Sequence, residues 1–120
     1  MISMDKRLEN LGKELMSWLI EDKEEGYYFD LRLYFNGKAY EYEEKKEKWI
    51  ILDNLIGSDY IEFYDDTTLA MTFEGGLHYL MNFAYGSDSC DKFLSIFEKH
   101  GFYAELATSW SIIAVDESTE

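Results

Sequence analysis

The 120-residue chain has no proline and a single cysteine, Cys90, and only 11 of its residues are basic against 25 acidic ones. Each shortage excludes something. Without proline, every loop must be shaped by Gly, Asn, Asp and Ser, and no slow prolyl isomerisation is expected in folding. A lone cysteine cannot staple a small secreted scaffold and points to a reducing compartment. The longest apolar runs, such as Trp49 to Leu52 and Ile112 to Val115, fall far short of the roughly 18 residues that a bilayer span needs. No basic, apolar leader opens the chain, so a cytoplasmic location is expected.

Basic residues are also unevenly placed. Residues 1 to 60 carry 14 acids and 9 bases, net -5, whereas residues 61 to 120 carry 11 acids and 2 bases, net -9. The total of -14 exceeds the magnitude of about 2 to 8 that keeps a small domain soluble. A surface of this sign repels phosphate backbones and anionic lipid, so neither nucleic acid nor membrane is an expected direct partner. Lysine outnumbers arginine 9 to 2, a codon-driven bias read as bacterial or phage.

What the chain does have is apolar and aromatic mass: 47% hydrophobic residues, with 10 Tyr, 8 Phe and 3 Trp. A chain of this length buries roughly two-thirds of its unfolded surface, enough for one compact domain over residues 1–120 with a short polar tail at 116–120.

Periodicity supplies the elements. Met4, Leu8, Leu11, Leu15, Trp18 and Leu19 share one face of a helix over residues 4–22, with Ser3 as its N-cap. Asn36-Gly37 predicts a type I′ turn joining strands 27–35 and 38–44, which sets Phe35 opposite Lys38, Tyr34 opposite Ala39 and Arg32 opposite Glu41. Phe29, Leu31, Leu33, Phe35, Tyr40 and Tyr42 then face the core. Asp30, Arg32, Tyr34, Glu41 and Glu43 face water, with Asp30 and Glu43 as a like-charge pair.

Residues 45–57 fit a short helix slightly better than a strand. A second hairpin with the loop Asp65-Asp66-Thr67 is expected to set Phe63 opposite Leu69 and Ile61 opposite Met71, with Glu62, Tyr64 and Thr72 on the other face. After Gly75-Gly76, residues 77–85 read as a helix in preference to a third strand. A further helix follows Ser87, Asp88 and Ser89, with Phe93, Leu94 and Phe97 inside and Gly101 as terminator. Residues 102–107 and 110–115 form a last hairpin. Hairpins imply an antiparallel sheet, so the expected fold is a two-layer α+β domain with helices mainly on one face.

No phosphate loop, dinucleotide fingerprint, HExxH helix, CxxC pair or EF-hand spacing is present, so no catalytic set, cofactor or metal is expected. Asp88 and Asp91 flank Cys90 and oppose thiolate formation there. His100 reads as a cation at the carbonyl end of its helix. Asp65 and Asp66, with Glu62 and Glu74, lack the alternating spacing of a calcium loop and read as a solvated turn.

The feature these readings leave over is tyrosine among carboxylates, a combination in which a rigid ring supplies contact area and the acids steer Arg or Lys. It nominates Tyr34, Glu41, Glu43, Glu62, Tyr64, Asp65, Asp66 and Glu74 as a partner-binding set. The first functional expectation is a small acidic, non-catalytic binding or inhibitor protein whose target is a basic protein such as a nuclease or other nucleic-acid-binding effector. Immunity proteins, antitoxins and DNA mimics are of this physical type, with no shared motif. Two alternatives stand beside it: a prophage or housekeeping domain, monomeric or homodimeric, whose acidity serves solubility alone, and a small-molecule or enzymatic pocket around His78, Tyr79, Cys90 and Trp110.

Overall fold

The computed structural model describes residues 2–117. The elements run α1 (Met4–Glu21), β1 (Leu31–Phe35), β2 (Lys38–Glu43), β3 (Lys48–Leu52), a single 3₁₀ turn (Gly57–Asp59), β4 (Ala70–Phe73), α2 (Gly76–Phe83), α3 (Asp88–Lys99), β5 (Phe102–Thr108) and β6 (Ser111–Asp116). The strands form one antiparallel sheet in the order β3-β2-β1-β4-β6-β5. All three helices contribute to the core on one face, so the α+β reading holds.

Local chemistry accounts for the elements that formed as expected. Ser3 Oγ accepts from the Lys6 N–H at 3.2 Å and Ser87 Oγ from the Cys90 N–H at 3.3 Å, each satisfying an orphan donor at a helix start. Leu8, Leu11, Leu15 and Leu19 bury the inner face of α1, each worth roughly 1.5 to 3 kcal/mol. Asn36 and Gly37 have φ of 52° and 75°, as a type I′ turn requires, and the register of Phe35 with Lys38, Tyr34 with Ala39 and Leu33 with Tyr40 follows from it. Helices α2 and α3 and the final hairpin also occupy their expected positions.

Four expectations are corrected. Residues 48–52 form β3, an edge strand paired with β2, rather than a helix. Pairing Ile50 with Glu41 and Trp49 with Tyr42 satisfies its backbone groups and half-buries Trp49, Ile50 and Leu52, and the short run is too brief for a stable helix to compete. Strand β1 begins at Leu31, not at Tyr27. Its neighbour β4 ends opposite it at Phe73, and the left-handed Asp30 turns the chain away, leaving Phe29 55% exposed. The Asp30 and Glu43 pair is therefore absent, and Glu43 sits opposite Lys48.

The second hairpin does not form either. Met71 is flanked by Leu33 on one side and Ile112 on the other, so β4 has no edge left for residues 61–64. Those residues instead belong to a crossover, residues 53–69, that carries the chain from edge strand β3 to central strand β4 over the face without helices. Ile61 and Tyr64 of this crossover pack on Tyr34, Ala39 and Ala70, a second small core.

One ion pair clasps the two ends of the chain. Asp116, expected in a polar tail, ends β6 in a buried position, where both its oxygens accept from Arg7 of α1 at 3.1 Å. The same guanidinium donates to the carbonyls of His100 and Gly101 and lies 4.5 Å from the Phe102 ring centroid. Glu117 of the expected tail donates its N–H to the Gly101 carbonyl at 3.0 Å, and residues 118–120 lie outside the described residues.

Candidate functional site

The face opposite the helices carries two rows of side chains across the sheet. One row, Leu52, Ala39, Tyr34, Ala70 and Ile113, is apolar and covered by the crossover. The next row, Glu41, Arg32, Thr72, Ser111 and Thr108, is polar and lies beside the covering segment. Its uncovered part is the floor of a groove of about 550 Å³.

Different elements supply the walls. Tyr60 and Glu62 come from the crossover, Trp110 from the β5–β6 turn, and Asp30 and Glu74 from the chain segments bounding β1 and β4. Four carboxylates, Asp30, Glu41, Glu62 and Glu74, thus line the groove together with one guanidinium, Arg32. The Arg32 Nε donates to Glu41 Oε2 at 3.3 Å, and its guanidinium lies 6.0 Å from the Tyr60 ring centroid. Among the described residues, no ion pair engages Asp30, Glu62 or Glu74. Tyr60 and Trp110 are each 52% exposed.

The β5–β6 turn is held in place from three directions. The Trp110 N–H donates to Thr108 Oγ1 at 3.2 Å, its carbonyl accepts from the Phe73 N–H at 2.9 Å, and its ring lies 5.5 Å from the His78 ring. Asn82 of α2 donates to the Ser109 carbonyl at 2.7 Å. A wall so fastened loses little conformational freedom when a ligand meets it.

Of the eight residues nominated from sequence, the groove gathers Tyr34, Glu41, Glu62 and Glu74. Tyr34 is a correction in character: it is 2% exposed, its hydroxyl within 3.3 Å of Thr72 Oγ1 and its ring beneath Tyr60, so it is floor rather than a water-facing contact. Tyr64 is likewise corrected. It is 6% exposed on the inner side of the crossover, its one hydroxyl proton lies between the Thr68 and Tyr34 carbonyls, and burial pushes its phenol far above the usual range. Strand alternation sorted Tyr34 onto the right face, but nothing local shows that a crossover covers that face.

Glu43 stands opposite Lys48, outside the groove. Asp65 and Asp66 serve the turn itself. Asp65 Oδ1 accepts from the Thr67 hydroxyl at 2.6 Å, a bond that holds its carboxyl below the ordinary range, and Asp66 Oδ1 accepts from the Ser58 N–H at 3.1 Å. Arg32, Asp30, Thr72 and Tyr60 were missing from the nominated set. Arg32 shares its face with Tyr34 by simple alternation, whereas Tyr60 has no signal in the sequence.

The pocket expected around His78, Tyr79, Cys90 and Trp110 is not one site. Cys90 is fully buried between α2 and α3, its sulfur 4.0 Å from that of Met81, while His78 lies on the Trp110 side of α2 and Tyr79 is exposed. Only His78 and Trp110 meet. His100 caps α3 as expected, and its Nε2 lies 2.9 Å from Glu14 Oε1, joining α3 to α1. No group of His, Cys, Asp and Glu among the described residues has metal-holding geometry, and no helix of the described residues is long and apolar enough to cross a membrane. No protein-family model, curated protein or solved structure matches the chain.

Proposed function

We propose that this chain is a small acidic, non-catalytic binding or inhibitor protein of the cytoplasm that acts on a basic macromolecular partner. The observation that carries the reading is the groove, lined by four carboxylates and one arginine with the half-exposed Tyr60 and Trp110, three of those carboxylates having no ion pair among the described residues. A lysine or arginine side chain entering it gains charge attraction from Asp30, Glu62 and Glu74 and a ring face for its aliphatic stem or cation. The wider charge of -14 draws such a partner in and accelerates encounter. A nuclease or another nucleic-acid-binding effector presents the required surface, because it must itself be rich in Lys and Arg.

The test compares the native chain with a Glu62→Gln/Glu74→Gln variant, immobilised side by side and exposed to extract of its own cells. Among the described residues neither Glu62 nor Glu74 makes an ion pair, so the fold is expected to persist. The native chain is expected to retain a Lys- and Arg-rich protein that elutes between about 50 mM and 500 mM salt, because exposed charges are screened over that range. The variant is expected to release it earlier. Equal retention by both, or retention indifferent to salt, refutes the reading.

A further inference from the structure

Between Glu74 and Asp88 the sequence contains no Asp, Glu, Lys or Arg, in a chain of which 30% is charged. That segment is α2 with its flanks, and it is not simply buried. Leu77, Leu80 and Met81 point inward, while Tyr79, Phe83 and Tyr85 are 64%, 71% and 66% exposed. The Tyr79 and Phe83 rings lie 5.6 Å apart, Phe83 lies 6.3 Å from His78, and His78 lies 5.5 Å from Trp110, which lines the groove. An aromatic surface without Asp, Glu, Lys or Arg therefore runs directly into the acidic groove, and the Asn82 bond to the β5–β6 turn locks the two together.

We propose that the outer face of α2, with Trp110, and the groove form one docking surface for a protein segment that presents basic side chains beside an apolar one. This rests on the basic-partner reading and adds which surface supplies affinity. Clustered aromatic rings characterise the energetic centre of interfaces and govern dissociation, whereas neighbouring charges chiefly set the association rate and the register. Charge complementarity selects the occupant. A second copy would bring another -14 and a second set of groove carboxylates against the first, but a cationic segment meets them favourably.

The experiment titrates the isotopically labelled chain with three blocked peptides, one alternating Arg and Leu, one Gln and Leu, and one Arg and Gly. The Arg/Leu peptide is expected to shift the Trp110 indole and the amides of residues 76–83 together with those of Arg32 and Thr72. It is expected to bind roughly tenfold more tightly than either other peptide, and Phe83→Ser or Tyr79→Ser to remove that advantage over Arg/Gly. Both residues are exposed, so the variants should fold, and an unchanged circular dichroism spectrum verifies it. Shifts confined to the groove, or an affinity untouched by either substitution, overturn the docking surface while leaving the basic-partner reading intact. Equal binding of Gln/Leu and Arg/Leu overturns the basic-partner reading itself. Concentration-dependent dimerisation abolished by Phe83→Ser names a second copy as the occupant and also overturns the proposal.

Discussion

Replacing Gly57 by alanine sets two effects of opposite sign against each other. In open space the change would stabilise the chain by about 0.4 to 1 kcal/mol, because alanine restricts the unfolded state. Gly57 is not in open space. A Cβ there would lie 2.5 Å from Tyr64 Cε2, 3.0 Å from Tyr64 Cδ2 and 3.0 Å from Tyr34 Cβ. Ordinary carbon contacts are about 3.5 to 4.0 Å, so something must move by about 1 Å. Tyr64 cannot swing aside, since its ring is buried and its hydroxyl is tied to the Thr68 and Tyr34 carbonyls.

The relief open to the variant is to lift the 3₁₀ turn from the sheet, which carries Tyr60 and the groove wall with it. Overpacking of this kind costs about 1 to 3 kcal/mol, and at about 4 °C per kcal/mol the midpoint of thermal unfolding should fall by about 4 to 12 °C. Circular dichroism during heating measures it. A Tyr64→Leu background should shrink the penalty, because the two changes share one contact. An unchanged or raised midpoint in the native background refutes the close approach of crossover and sheet.

Two further outcomes follow from the ion pairs. Arg7→Leu removes the guanidinium from a carboxylate that is 7% exposed and should cost about 3 kcal/mol in urea unfolding, whereas Asp116→Asn should cost less, since Arg7 keeps two carbonyls and the Phe102 ring; a loss no larger than that of Lys13→Leu on the surface would count against the clasp. The Glu14 carboxyl is held below its ordinary value of 4.5, first by the hydrogen bond with His100 and then by that with Lys99. A depressed folded-state value means that its contribution is complete above pH 4.5 and disappears as pH falls through the lower folded value. Glu14→Gln should therefore narrow the difference in stability between neutral and acidic solution. A pH profile identical to that of the native chain refutes it.

How much of this was legible in advance depended on how far apart the interacting residues lie. The spacing of leucines in α1, the Ser3 cap, the Asn36-Gly37 turn and the final hairpin are settled among residues close in the chain, and the sequence alone determined them together with the α+β class and the overall negative charge, while Ser87 was singled out from three cap candidates only by the structure. Strand β3, the strand order and the crossover were decided by tertiary structure, because β4 pairs with β1 and β6 across long loops and thereby denies residues 61–64 a partner. The groove follows from the same event. Alternation places Arg32, Tyr34 and Glu41 on one side of the sheet, but whether that side meets water depends on where the 53–69 segment comes to rest. It rests on Tyr34 and Ala70, where apolar surface is available to bury, and leaves the polar row with Arg32 and Thr72 open between Tyr60 and Trp110.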